Sequence, residues 1–96
     1  MKKIQELIRE LYWERDSGRD FNTNVLWFVE EVGELLRAMR KGERGNLEEE
    51  FADVLAWLAT LANIKEVDLE KAFYAKYPSV CGKCMSSPCK CPLIKI

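Results

Sequence analysis

NLEEEFADVLAWLATLANI, residues 46–64, decides the fold class. It opens with a capping box, in which Asn46 caps the first turn and Glu49 reaches back to it, and then turns apolar. From Phe51 to Ile64 apolar residues fall on every side of a helix, and Asp53 is the only ionisable side chain. A helix of this kind must be buried all round, and three or four helices from one 96-residue chain supply too little cover. The expectation is an all-α bundle of about four helices that completes its core as a homodimer or larger oligomer. The alternative is that Ala52, Ala56, Ala59 and Ala62 make a small-residue face that tolerates water.

Upstream, Val25, Phe28, Val29, Val32, Leu35, Leu36 and Met39 make the core stripe of a second helix. Asn22, Thr23 or Asn24 can cap it, and Arg40-Lys41-Gly42 supplies positive charge and a glycine stop. Before it, Ile4, Leu7, Ile8, Leu11 and Tyr12 follow helical spacing and place an amphipathic helix over about residues 2–16. Downstream, Asp68 caps a short helix that reaches about Lys76, where Tyr77-Pro78 ends it. The chain divides into a helical domain, residues 1–77, and a cysteine-rich tail, residues 78–96.

A chain of this length holds one core at most. Fifteen Lys and Arg against sixteen Asp and Glu, a net charge of −1, argue against a dominant attraction to nucleic acid or an acidic membrane. There is no apolar run long enough to cross a bilayer and no signal-type N-terminus, so a cytoplasmic location is expected.

Two acidic groups stand out, Glu30-Glu31-Val32-Gly33-Glu34 and Glu48-Glu49-Glu50-Phe51-Ala52-Asp53. Glu31 and Glu34 lie about 60° apart on one helix face, as do Glu50 and Asp53. Glu48 and Glu49 suit a helix N-terminus and need no further role. Asp53 differs, because its neighbours Trp57 and Ile64 are apolar and no Lys or Arg on its helix can pair with it. An unpaired buried carboxylate costs several kcal/mol unless it is paired, protonated or bound to a metal. If the two helices pack antiparallel, Glu31, Glu34, Glu50 and Asp53 converge. All-oxygen ligands select Mg²⁺ or Mn²⁺, whose remaining positions take water and phosphate oxygens, which is the chemistry of phosphoanhydride hydrolysis.

The pattern Glu30-Glu31-x-Gly33-Glu34-Leu35, then Glu50-x-x-Asp53-Val54-Leu55, resembles the MazG family of all-α nucleoside triphosphate pyrophosphohydrolases. The family's mark is E-E-x-x-E followed by E-x-x-D on the next helix, and the likeness runs from about residue 20 to Lys76. It implies an oligomeric helical bundle that uses Mg²⁺ to split a nucleoside or deoxynucleoside triphosphate into the monophosphate and pyrophosphate. Residue by residue, it implies that Glu31, Glu34, Glu50 and Asp53 are metal ligands and that Glu30 orients a ligand or helps activate water. The family's downstream helix often carries a basic and amide-rich phosphate-binding pattern, of which this chain shows only fragments: Asn63, then Lys71 and Lys76. Trp13, Trp27 and Trp57 offer stacking surfaces for a base, but the reading favoured for each is core.

Four cysteines close the sequence in the spacing C-x2-C-x4-C-x-C, at Cys81, Cys84, Cys89 and Cys91, and the chain has no histidine. That spacing suits a structural zinc ion held by four thiolates, with disulfides or free thiols as alternatives. The competing reading of the whole chain is a zinc-bearing interaction or nucleic-acid-binding module without catalysis. It leaves Asp53 unexplained and finds no basic, aromatic-rich stripe to support it.

Overall fold

Among the described residues the protein forms four helices, α1 (Lys2–Gly18), α2 (Phe21–Lys41), α3 (Arg44–Ile64) and α4 (Leu69–Lys76), followed by an irregular segment as far as residue 92. The computed structural model describes residues 1–42 and 44–92, and no strand occurs among the described residues. The all-α class expected from the periodicity is the class found. Residues 93–96 of the tail lie outside the described residues.

Helix ends follow local chemistry, with two corrections. The cap of α2 is Asp20, whose carboxylate accepts from the Thr23 N–H at 3.3 Å. Asn24, one of the residues expected there, is instead fully buried: its amide nitrogen donates to the Asp16 carbonyl at 3.0 Å and its oxygen accepts from Arg19 at 2.7 Å. At the other end Gly42 stops α2 as expected, with φ of 72°, a left-handed conformation that costs glycine little. α3 starts at Arg44, so Asn46 stands inside its first turn and is not its cap. Asp68 caps α4 as expected and accepts from the Lys71 N–H at 3.0 Å.

α3 is the central element, packed against both α2 and α1, while α4 touches α1. α2 and α3 run antiparallel. Trp27 meets Trp57 edge to face with centroids 5.8 Å apart, Glu31 lies by Asp53, and Glu34 and Ala38 share a cleft with Glu50 and Asn46. As the numbers rise along α2 they fall along α3.

Among the described residues the buried apolar side chains are few and mostly small: Leu35, Ala38, Ala59 and Ala62. The buried polar residues outnumber them, namely Gln5, Asp16, Asn24, Thr60 and Asn63. The stripe read on α2 is therefore only partly a core. Leu35 is buried and Val25, Phe28 and Val32 are half-buried, but Val29 (59 % exposed), Leu36 (55 %) and Met39 (46 %) face outward. On α1 the apolar stripe is likewise open at Ile4, Leu7 and Leu11, and the residues that turn inward are Gln5 and Asp16. Alanines on α3 let the neighbouring helices approach closely, and hydrogen bonds between side chains then do what large apolar residues do elsewhere.

Gln5 shows how this works. Its side-chain nitrogen donates to Asn63 Oδ1 at 3.0 Å and to the Val67 carbonyl at 2.6 Å, and its oxygen accepts from the Leu69 N–H at 2.9 Å. One amide thus ties α1 to the end of α3 and to the start of α4, and satisfies backbone groups that the turn between them leaves over. No helix among the described residues is long and apolar enough to cross a membrane.

Candidate metal centre

The antiparallel α2–α3 pair brings Glu31, Glu50 and Asp53 together, each offering one carboxylate oxygen, and these oxygens all lie within 4.8 Å of one another. Two carboxylate oxygens of the group, Glu31 Oε2 and Glu50 Oε2, are cut off from water with no hydrogen-bond partner. Loss of hydration, and next the negative charges of Glu34 and Asp53, push the Glu31 and Glu50 carboxyls above the usual range for glutamate. Like charges held this close, with orphaned buried oxygens between the helices, need protons or a cation.

Among the residues expected at the site, Glu31, Glu50 and Asp53 form the cluster. Glu34 is exposed and stands beside it, close enough for its charge to act on both Glu31 and Glu50. Glu30 is exposed and outside the group of converging oxygens. Asp53, expected among apolar neighbours in a dry surface, is exposed, and the buried oxygens belong to the two glutamates. The reason is geometric: Asp53 borders an open cleft of about 180 Å³ between α1 and α3, shared with Tyr12, Arg15, Asp16 and Trp57.

Of the two expected substrate contacts, one is engaged elsewhere and the other lines a different cleft. Asn63 is buried, with its oxygen accepting from Gln5 and its nitrogen donating to the Gln5 carbonyl at 3.2 Å. Lys76 is exposed, lines a cleft with tail residues such as Val80 and Ser86, and sets Nζ 5.7 Å from the Tyr77 ring centre. The tryptophans are not core either. Trp27 is exposed and Trp13 and Trp57 are half-buried, each covered by a guanidinium: Arg9 lies 4.0 Å over Trp13, and Arg19 lies 4.6 Å over Trp27 and 5.6 Å from Trp57.

A buried polar group that periodicity does not reveal holds this end of the site. Asp16 accepts from Thr60 Oγ1 at 2.9 Å and pairs with Arg19 at 3.2 Å, while Arg19 also reaches Asn24 and the two tryptophan rings. The available signal was slight: Asp16 and Arg19 are three apart, but they look like turn residues after an amphipathic helix.

A helical hairpin that gathers carboxylates from both arms around buried, unpartnered oxygens defines a class, the all-α proteins that present an acidic centre suited to a hard divalent cation. The chain matches the family described as MazG nucleotide pyrophosphohydrolase domain over residues 19–85, more than half its length, and it belongs to that family. The match takes in α2, α3, α4 and the first two cysteines. No curated protein matches the chain.

Proposed function

We propose that this protein is a nucleoside triphosphate pyrophosphohydrolase that requires Mg²⁺ or Mn²⁺ and splits its substrate into the monophosphate and pyrophosphate. The observation that carries the reading is the pair of buried, unpartnered oxygens, Glu31 Oε2 and Glu50 Oε2, beside Asp53. Glu31, Glu50 and Asp53 would hold the metal, with Glu34 next to them. When bound, the ion supplies positive charge for the phosphates and lowers the pKa of water. Glu30, exposed beside Glu31 in sequence, is the group we assign to orienting a ligand or taking the water's proton. Water adds its oxygen to phosphorus, and the bridging oxygen leaves with pyrophosphate. Arg15 and Tyr12, on the cleft that Asp53 borders, offer a cation and a ring to the substrate. Asn63, committed to Gln5, is not among the contacts we propose.

The direct test is release of pyrophosphate from a panel of nucleoside triphosphates. Equal amounts of monophosphate and pyrophosphate should form with Mg²⁺ or Mn²⁺, and none without. Failure on every member of the panel with both metals would sink the reading.

Proton linkage gives a second test. A carboxyl whose pKa is raised by folding binds its proton more tightly in the native state, so stability falls as pH rises from the unfolded value through the folded one. Glu31 and Glu50 are of this kind, and their charged forms burden the metal-free protein at neutral pH. Mg²⁺ should therefore raise the melting temperature at neutral pH, and the gain should shrink on acidification toward the raised carboxyl values, where protons compete for the same oxygens. A gain that does not change with pH would place Mg²⁺ elsewhere.

We also propose that the chain self-associates in the cytoplasm. Val29, Leu36, Phe51 and Leu58 on α2 and α3 stay exposed, and four buried apolar side chains among the described residues are a thin core. Sedimentation at micromolar concentration should show a dimer or larger species, and a clean monomer would defeat this.

A further inference from the structure

The tail after α4 carries a second cluster of ligating atoms, separate in sequence from the carboxylates and different in chemistry. Cys81, Cys84, Cys89 and Cys91 each bring Sγ within 4.8 Å of all the others. Cys81 and Cys91 stand 3.9 Å apart at sulfur, as do Cys84 and Cys89, and all four thiols are free. Four sulfurs bound tetrahedrally at about 2.3 Å from one zinc ion stand about 3.8 Å from one another. The observed pairs have that spacing.

The backbone around the thiols is arranged for negative charge on sulfur. The Lys83 N–H donates to Cys81 Sγ at 3.4 Å, the Lys90 N–H to Cys84 Sγ at 3.3 Å and the Cys91 N–H to Cys89 Sγ at 3.3 Å. The first loop is closed on itself, with Met85 N–H on the Cys81 carbonyl at 2.8 Å and Cys81 N–H on the Ser86 carbonyl at 2.9 Å. Two cysteine-bearing turns thus face each other and bring one sulfur of each pair from either side. Neutral thiols packed like this have weak mutual contacts and nothing to hold them, whereas thiolates with donors on three of them lack only a soft cation. Lys83 and Lys90, set between the ligands in sequence, partly offset the two negative charges that a zinc tetrathiolate carries.

We infer that Cys81, Cys84, Cys89 and Cys91 bind one Zn²⁺ through their four thiolates, in a self-contained knuckle that orders the segment after α4. With every coordination position taken by protein, the ion has no place for substrate and acts as a staple. The inference does not depend on the proposed hydrolase activity, since it is tested on metal content and spectra alone.

Elemental analysis of the purified protein should find about one zinc per chain, as one tetrathiolate site requires. Replacing zinc with Co²⁺ should give the intense visible bands of a tetrahedral ion together with near-ultraviolet sulfur-to-cobalt charge-transfer bands. Cys89→Ser with Cys91→Ser should lose the zinc, while Glu50→Gln should keep it. The cobalt spectrum of the unaltered protein keeps the test valid if the double variant does not fold. Zinc-free protein overturns the inference, whether its thiols react freely or only after reduction. Zinc retained by the cysteine variant but lost from Glu50→Gln also overturns it, by moving the ion to the carboxylates.

Discussion

Asp53→Asn should lower Mg²⁺-dependent pyrophosphate release by at least about 100-fold, the scale of losing one preorganised electrostatic contact at a reacting centre. The substitution removes a charge and keeps the shape, so the helices should persist. Stability offers a readout that a merely structural role would not give. The Asp53 charge is one of those that push up Glu31 and Glu50, so its removal relieves repulsion in the metal-free protein. Without Mg²⁺, the melting temperature of the variant should equal or exceed that of the parent. With Mg²⁺, the stabilisation seen in the parent should be largely lost. A folded variant with near-normal turnover would remove Asp53 from the metal site, whatever its distance to the glutamates.

The largest effect on stability should come from Asp16→Ala. This side chain is buried, accepts from Thr60 at 2.9 Å and holds Arg19 at 3.2 Å, and Arg19 in turn lies over Trp27 and Trp57. Removing it leaves a guanidinium and a hydroxyl without their partner inside the α1–α3 contact. Breaking a buried pair from one side costs about 3 kcal/mol or more. In a domain of this size that is a fall in melting temperature of roughly 15 °C. A loss below about 1 kcal/mol by urea titration would mean that water repairs the gap, as at exposed pairs. Because Asp16 also lines the cleft bordered by Asp53, the variant should bind nucleotide more weakly even at temperatures where it remains folded.

Sequence alone determined the helices and the pair of acidic motifs. Local rules are enough for that. Period and composition place four helices, Gly42 and Asp68 mark ends by their own backbone and side-chain chemistry, and carboxylates three apart must share a helix face whatever surrounds them. The four-cysteine spacing is equally local, since its residues meet within one short segment.

Tertiary structure decided which of these residues are dry, and there the reading by period misled. Asp53 looked buried because its helical neighbours are apolar, yet it borders an open cleft, and the buried oxygens belong to Glu31 and Glu50, on helices that must pack before either is covered. Gln5 and Asp16 lie off the apolar stripe and Asn24 reads as a helix cap, yet all three join the helices, because what lies opposite them is a polar partner: Asn63, Thr60 and a backbone carbonyl. Asn63, expected to meet a phosphate, is consumed by that same contact. Burial and hydrogen-bond partnership are properties of pairs of elements. A periodic pattern on one helix carries the direction of each side chain but holds nothing about what the next helix places in front of it.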